Sequence, residues 1–271
     1  MTDTPATPER PDRDLWKDLR RFTNARIALG RSGVSLPVAR QLEFQAAHAA
    51  ARTAVHSELD MAALEADLAA LSLETVTVKS RVSDRSEYLR RPDLGRKLAP
   101  EDAERLAALA PGTAPDVAIV IADGLSALAV QQSAPPFLKA FLPHVERAGL
   151  TLAPTVVALQ GRVAIGDEVA EQLGARCVIM LIGERPGLSA ADSLGLYLTW
   201  APGPGSTDAD RNCISNIREG GLSFREAAYR AGYLMQEAFE RKLSGVMLKD
   251  NTVADPALEA DEATPSLPGG D

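Results

Sequence analysis

The chain is short of the residues that most often carry self-contained chemistry. It has 3 histidines and 2 cysteines among 271 residues, and neither set falls in metal-ligand spacing. Cys177 sits in an apolar stretch and Cys213 in what reads as a polar loop, which is no disulfide framework. Aromatic residues are scarce at 4%. No apolar run approaches the length of a membrane span. Basic residues are outnumbered as well: a net charge of −8 lacks the cationic footprint of a nucleic-acid binder. The opening residues MTDTPATPERPDRD contain no apolar segment of secretory type. The expectation is a reduced, cytoplasmic protein that binds neither nucleic acid nor membrane.

Several standard motifs are missing too. Gly161 and Gly166 in GRVAIG have the gap of a phosphate loop, but Asp167 and Glu168 stand where a Lys and a Ser or Thr must meet phosphate and metal. No strand-to-helix turn carries the G-x-G-x-x-G of a dinucleotide site. GLS recurs at 124–126, 187–189 and 221–223, each time without the second glycine of a nucleophile elbow. No histidine follows Ser189, so an elbow there would lack its downstream base. Those serines read more simply as helix caps.

What is present is a change of hydrophobic period along the chain. From about Leu15 to Leu71 the pattern is helical, with Leu64, Leu68 and Leu71 on one face and a break expected near Ser57. LETVTVKS follows as a short possible strand, and then a charged segment, residues 81–98. From Asp116 the chain reads strand, turn, helix three times over. The runs DVAIVIA, APTVVALQ and RCVIMLIG each end in a polar turn, and LYLTW suggests one more strand. Continuous β-branched runs alternating with amphipathic helices predict a parallel sheet covered on both faces. The expected fold class is therefore α/β: a Rossmann-like parallel sheet with helices on both faces, preceded by a small helical N-terminal domain. The expected boundaries are a disordered tail over 1–12, the helical domain over 13–112, the Rossmann-like domain over 113–250, and a disordered acidic tail over 251–271.

In such sheets ligands bind beyond the carboxyl ends of the strands. That rule puts Asp123-Gly124, Gln160-Gly161-Arg162-Val163 and Gly183-Glu184-Arg185 on one rim. A carboxylate and a guanidinium closing a buried strand either pair with each other or await a partner. The cationic residues of 81–98, interleaved with Asp84, Glu87 and Asp93, are equally open: a solvated face, or a docking surface for an acidic or phosphate-bearing group.

A set of longer strings narrows the reading. NARIALGRSG (24–33), YLRRPDLGRKL (88–98), ADGLSA (122–127), GERPGLSAADSLGLYLT (183–199), RNCISNIR (211–218) and GVMLKD (245–250) closely resemble, in order, the small (light) subunit of ethanolamine ammonia-lyase. The resemblance covers about residues 13 to 250, and GERPGLS and RNCISNI are long enough to be specific. It implies one chain of an adenosylcobalamin-dependent carbon–nitrogen lyase that turns ethanolamine into acetaldehyde and ammonia by a radical route. It also implies a separate large subunit with the substrate pocket and catalytic side chains, so that no catalytic residue lies on this chain. The small subunit would complete the cobalamin site at the interface, in a higher hetero-oligomer of large/small pairs. Cofactor contacts then fall at Val163, Glu184 and Cys213. None of His48, His56 and His144 has the D-x-H-x-x-G setting of a base-replacing ligand. The cofactor is accordingly expected base-on, with its cobalt not ligated by this chain. Related small subunits can be directed to a bacterial microcompartment, and the N-terminal tail leaves that and plain cytoplasmic residence open. Two rival readings are a stand-alone Rossmann-like enzyme using Glu184 and Arg185 as acid and base, and a scaffold that binds the large subunit without touching cofactor.

Overall fold

The structure is a computed structural model that describes residues 25–110 and 112–252, together with Leu19 and Phe22. The expected tails over 1–12 and 251–271 lie outside the described residues, Asn251 and Thr252 excepted. Packing divides the chain into two compact units, 1–50 and 51–271.

In the first unit Ser32 and Ser35 exchange backbone hydrogen bonds across a turn. Helix α1 (Val38–His56) begins directly after Pro37 and runs across residue 50 into the second unit. The helical stretch breaks where expected: α1 ends at His56 and α2 (Met61–Ala70) starts after the Asp60 cap, whose carboxylate accepts from the Ala63 N–H.

The second unit holds a 6-stranded sheet of order β1-β3-β2-β4-β5-β6. The strands are β1 (Thr75–Lys79), β2 (Val117–Ala122), β3 (Thr155–Leu159), β4 (Cys177–Gly183), β5 (Leu194–Trp200) and β6 (Arg211–Ile217). The intervening helices are α3 (Arg85–Arg90), α4 (Pro100–Ala108), α5 (Ala127–Arg147) and α6 (Ile165–Leu173), and α7 (Phe224–Arg241) follows the last strand. β2 and β4 are buried along their whole length, which is why their sequences are unbroken apolar runs.

Side chains alternate between two cores, as the pleat requires. Ile119, Ile121, Ile179 and Leu181 face Phe137 and Phe141 of α5, Ala231 and Met235 of α7, and Leu64 and Leu68 of α2. Ala118, Val120, Val178 and Met180 face Ile165 and Val169 of α6 and Leu106 of α4. The α/β architecture with helices on both faces is thus present.

Three features depart from the sequence reading. First, β5 and β6 run antiparallel to their neighbours, so the sheet is mixed. The turn between β4 and β5 is too short for the crossover helix that parallel pairing needs. Second, RNCISNI is strand β6, so Cys213 lies on a strand and not in a polar loop. Third, β1 pairs in parallel with β3 from Thr75↔Thr155 to Lys79↔Leu159. The possible strand LETVTVKS thus joins the main sheet at its edge.

Candidate functional site

After β2 the chain enters α5 on one face, and after the adjacent β3 it enters α6 on the other. That is the topological switch point, where open α/β sheets leave a crevice for ligands. Here the crevice is filled from within. Tyr88 of α3 is fully buried in it and donates to the Gly161 carbonyl at 3.0 Å. The Arg162 guanidinium carbon lies 4.1 Å from the Tyr88 ring centroid, and that of Arg85 4.7 Å from it. Such stacking of cations on a desolvated aromatic ring is attractive. Arg162 also donates to the Tyr88 carbonyl at 3.1 Å, and Arg85 to Gly124 O at 2.9 Å. Burial drives the Tyr88 hydroxyl far above its ordinary pKa. Burial likewise raises Asp123 to about 6, against the pull of the Arg85 guanidinium at 3.4 Å. The Asp123-Gly124 turn hugs β4 so closely that a Cβ on Gly124, whose φ is +57, would stand 2.3 Å from Gly183 O.

A hollow of about 390 Å³ opens one strand further on, lined by Leu125, Arg162, Val163, Ile182, Glu184 and Tyr197 among others. Its floor follows from the sheet register. Ile182 pairs with Gly195, Met180 with Tyr197, and Tyr197 in turn with Cys213. Directly opposed residues share a face, so Gly195, Tyr197 and Cys213 lie on the side that α6 covers over β4.

Toward the far end of β5 and β6 that face is closed. Arg211 donates to both Asp167 carboxylate oxygens, at 2.6 and 2.7 Å, and both side chains are buried. Asp167 and Glu168, which ruled out a phosphate loop, are therefore structural: Glu168 accepts from the Leu98 N–H at 2.7 Å. Toward the rim the face is bare, with Cys213 and Ser215 exposed.

Glu184 stands where bare floor meets rim. Its carboxylate accepts from Ser193 Oγ and Ser215 Oγ, each at 2.5 Å, and from the Asn216 N–H at 3.3 Å. The missing side chain of Gly195 leaves it room, since a Cβ there would meet Glu184 Oε1 at 3.0 Å. Glu184 makes no ion pair with Arg185 among the described residues: the carboxylate turns inward to the serines, and Arg185 is exposed. The strand therefore ends in a held acceptor and a free cation.

The expected cofactor contacts are distributed as follows. Val163 and Glu184 line the same hollow. Cys213 lies beside it as the cross-strand partner of Tyr197. Burial, helped by the adjacent Cys213 and Glu184, holds the Tyr197 hydroxyl well above its ordinary pKa, so it is neutral. Tyr88 and Tyr197 were not foreseen as part of the rim. The register opposite Cys213 would have exposed Tyr197 had β6 been recognised as a strand.

Another hollow, about 670 Å³ between α5 and α7, is larger but remote from the rim; His144, Tyr229, Tyr233 and Phe239 line it. Among the described residues no cluster of His, Cys, Asp and Glu could hold a metal ion, and no helix is long and apolar enough to cross a membrane.

Fold and rim together define an open α/β protein whose switch-point crevice is plugged and whose polar hollow lies at the β4/β5 edge. More narrowly, the chain belongs to the family described as "Ethanolamine ammonia-lyase light chain (EutC)", whose model matches residues 13–249. It is 56% identical over 265 residues to a Xanthomonas campestris pv. campestris protein, with 97% of each chain covered. It is 54% identical over 261 residues to one from Pseudomonas syringae pv. tomato, covering 95% of this chain and 89% of the relative. An Azotobacter vinelandii relative is 54% identical over 252 residues, with 92% of each chain covered. All three bear the name "Ethanolamine ammonia-lyase small subunit".

Proposed function

We propose that this chain is the small subunit of an adenosylcobalamin-dependent ethanolamine ammonia-lyase, and that it completes the cobalamin site at its interface with a large subunit. The observation that carries the reading is the open end of the β5–β6 face, where half-buried Glu184 and Tyr197 and exposed Cys213 stand beside the Val163 turn. A flat corrin ring carries amides around its edge, and the residues present suit it. Gly195 and Cys213 keep the floor low. Glu184, fixed by its three donors, keeps about one lone-pair site, on Oε1, for an amide N–H, and charge-assisted hydrogen bonds are about twice as strong as neutral ones. Val163 adds an apolar contact from the turn after β3, and Cys213 adds a small neutral one, since desolvation and, more weakly, the Glu184 charge raise its thiol pKa against the lowering effect of a hydrogen bond with Tyr197.

The cofactor, when bound, supplies the radical chemistry that converts ethanolamine to acetaldehyde and ammonia. This chain's part is to position it and exclude water, with no catalytic side chain of its own. The partner is the large subunit, and large/small pairs assemble further. The cofactor keeps its own lower base, and the assembly is cytoplasmic, either free or inside a microcompartment. Scarcity of acid–base groups on the rim supports this over a stand-alone enzyme, because Glu184 is already engaged by three donors.

The test is to co-express the two subunits and to measure acetaldehyde from ethanolamine plus adenosylcobalamin, with each chain alone as control. Product only when both chains are present is the expected outcome. Turnover by this chain alone would restore the stand-alone enzyme. Pairing with full activity and unchanged cobalamin affinity in Glu184→Ala and Val163→Asp would leave only a scaffold.

A further inference from the structure

The hollow carries a charge imbalance that a neutral corrin edge does not explain. In a chain of net charge −8, two guanidiniums, Arg162 and Arg185, line one small cavity. The sole carboxylate among its lining residues, Glu184, is turned toward Ser193 and Ser215. Arg185 is exposed and has no anionic partner among the described residues. Arg162 is held by its stack on Tyr88 and by one bond from Nη2 to the Tyr88 carbonyl, while its Nε is buried without a hydrogen-bond partner. Arg96 extends the cluster. It follows Gly95, whose carbonyl accepts from the Arg162 N–H at 2.7 Å, and it too is exposed without an ion pair among the described residues. Arg85 also stacks on Tyr88, but Asp123 at 3.4 Å balances it. The guanidiniums are close enough to repel: burial first, then Arg85, Arg185 and Arg96, lower the Arg162 pKa, with Tyr88 opposing. Like charges gathered at an opening without local compensation are stabilised by an incoming anion.

Resting on the reading of this hollow as a cobalamin site, we infer that Arg162 and Arg185, with Arg96 beside them, receive the phosphodiester of the cofactor's nucleotide loop. That group is the one anionic group at the periphery of cobalamin, since the corrin side chains are neutral amides. Guanidinium is the side chain best matched to phosphate, because it stays charged when partly buried and offers a planar fork of donors. The residues would divide the labour: Glu184 would accept from amides of the ring, and Arg162 and Arg185 would donate to the phosphodiester. The small subunit would then select complete cobalamins over corrinoids that lack the nucleotide loop.

The experiment uses the co-expressed complex and reads equilibrium binding of cyanocobalamin, not turnover. Arg185 is the position to change, because it is exposed and takes no part in the Tyr88 stack. Arg185→Gln is expected to weaken cyanocobalamin about tenfold, the effect of losing one charge-assisted contact, and Arg185→Lys to recover part of that. Raising KCl from about 20 mM to about 500 mM should weaken the wild type more than Arg185→Gln, because an exposed charge pair is screened. Cobinamide, the same corrin without the loop, should bind both complexes equally. A cyanocobalamin affinity within about twofold of wild type in Arg185→Gln, or an equal loss for cobinamide, overturns the inference while leaving the cobalamin site itself standing. If the wild-type complex binds no cyanocobalamin, the proposed function fails, and this inference with it.

Discussion

Between the ends of β2 and β3 the rim is filled by the chain itself, whereas over the near ends of β5 and β6 it is left bare. The filled part has a buried aromatic ring, two guanidiniums stacked on it, and a carboxylate closing the set. The bare part has a glycine, a cysteine and a carboxylate held in place by serines. An open α/β sheet would be expected to take its ligand at the switch point. In this chain that crevice is spent on stability, and the free hollow lies beside it, walled by Tyr88 and Arg162 of the plug, by the end of β4 and by Tyr197 of β5. A divided rim of this kind, one part packed by the chain itself and one part open, is what the proposed sharing of a ligand with a partner subunit would require.

The most severe way to break the comparison is to remove the plug. Tyr88→Ala should cost about 4 kcal/mol or more, because a large buried ring is lost and a cavity is left beside two guanidiniums. Urea denaturation of the full chain measures it. Tyr88→Phe keeps the ring but strands the Gly161 carbonyl, so it should cost about 1–2 kcal/mol. If Tyr88→Ala were tolerated at under about 1 kcal/mol, the crevice would be an available site and the contrast would dissolve.

Next in size is the clamp that closes the far end of the β5–β6 face. Asp167→Ala leaves Arg211 buried without its bidentate partner, and breaking such a pair costs about 3–5 kcal/mol. The lower end, about 3 kcal/mol, is expected here, because Asp208 lies 3.6 Å from Arg211 Nε and can take up part of the charge. The same denaturation curves read it. A cost below about 1 kcal/mol would mean that this end of the face is as open as the other.

A pH series tests the filled crevice without dismantling it. Asp123 has a folded pKa near 6, above its ordinary 3.8, so between these values the folded state binds more protons than the unfolded one. Stability contributed by this group must therefore fall as pH rises from about 4 to about 6, and two units correspond to roughly 2–3 kcal/mol. Asp123→Asn cannot ionise. Relative to wild type it should gain by that order between pH 4 and pH 7, whatever constant penalty it carries from weakening the Arg85 contact. A difference independent of pH would show Asp123 to be ionised throughout and the crevice to be wet.

These two parts of the rim were unequally legible in the sequence. The strands β2, β3 and β4 announce themselves as apolar runs, and the rule that ligands gather at strand carboxyl ends brings Val163 and Glu184 to one hollow. β6 was missed because an edge strand with one solvated face reads as polar: only Arg211, Ile214 and Ile217 of RNCISNI are buried. With it went the register that sets Cys213 against Tyr197. Tyr88 was hidden for a different reason. It stands in a segment dominated by charge, and what buries it comes from far along the chain: Gly161, Arg162 and, through Arg85, Asp123. Pairing of Asp167 with Arg211, 44 residues apart, is invisible to any local pattern.

The smallest effect on stability is expected to be the most telling about the bare end. Ser215 is exposed, so Ser215→Ala should cost the fold less than about 1 kcal/mol even though its hydroxyl donates to a carboxylate. If the serines serve only the fold, nothing else should change. If they hold Glu184 for a ligand, the co-expressed complex should lose about threefold in cyanocobalamin affinity, because a side chain freed from its donors must be ordered again on binding. Gly195→Ala approaches the same carboxylate from below, and its Cβ at 3.0 Å should displace Glu184 to similar effect. Losses in affinity from both changes, with denaturation midpoints near wild type, would mark Glu184 as a preorganised acceptor. Unchanged affinity in both would make the serine clamp an ordinary strand-end contact and move the ligand's anchor to the arginines.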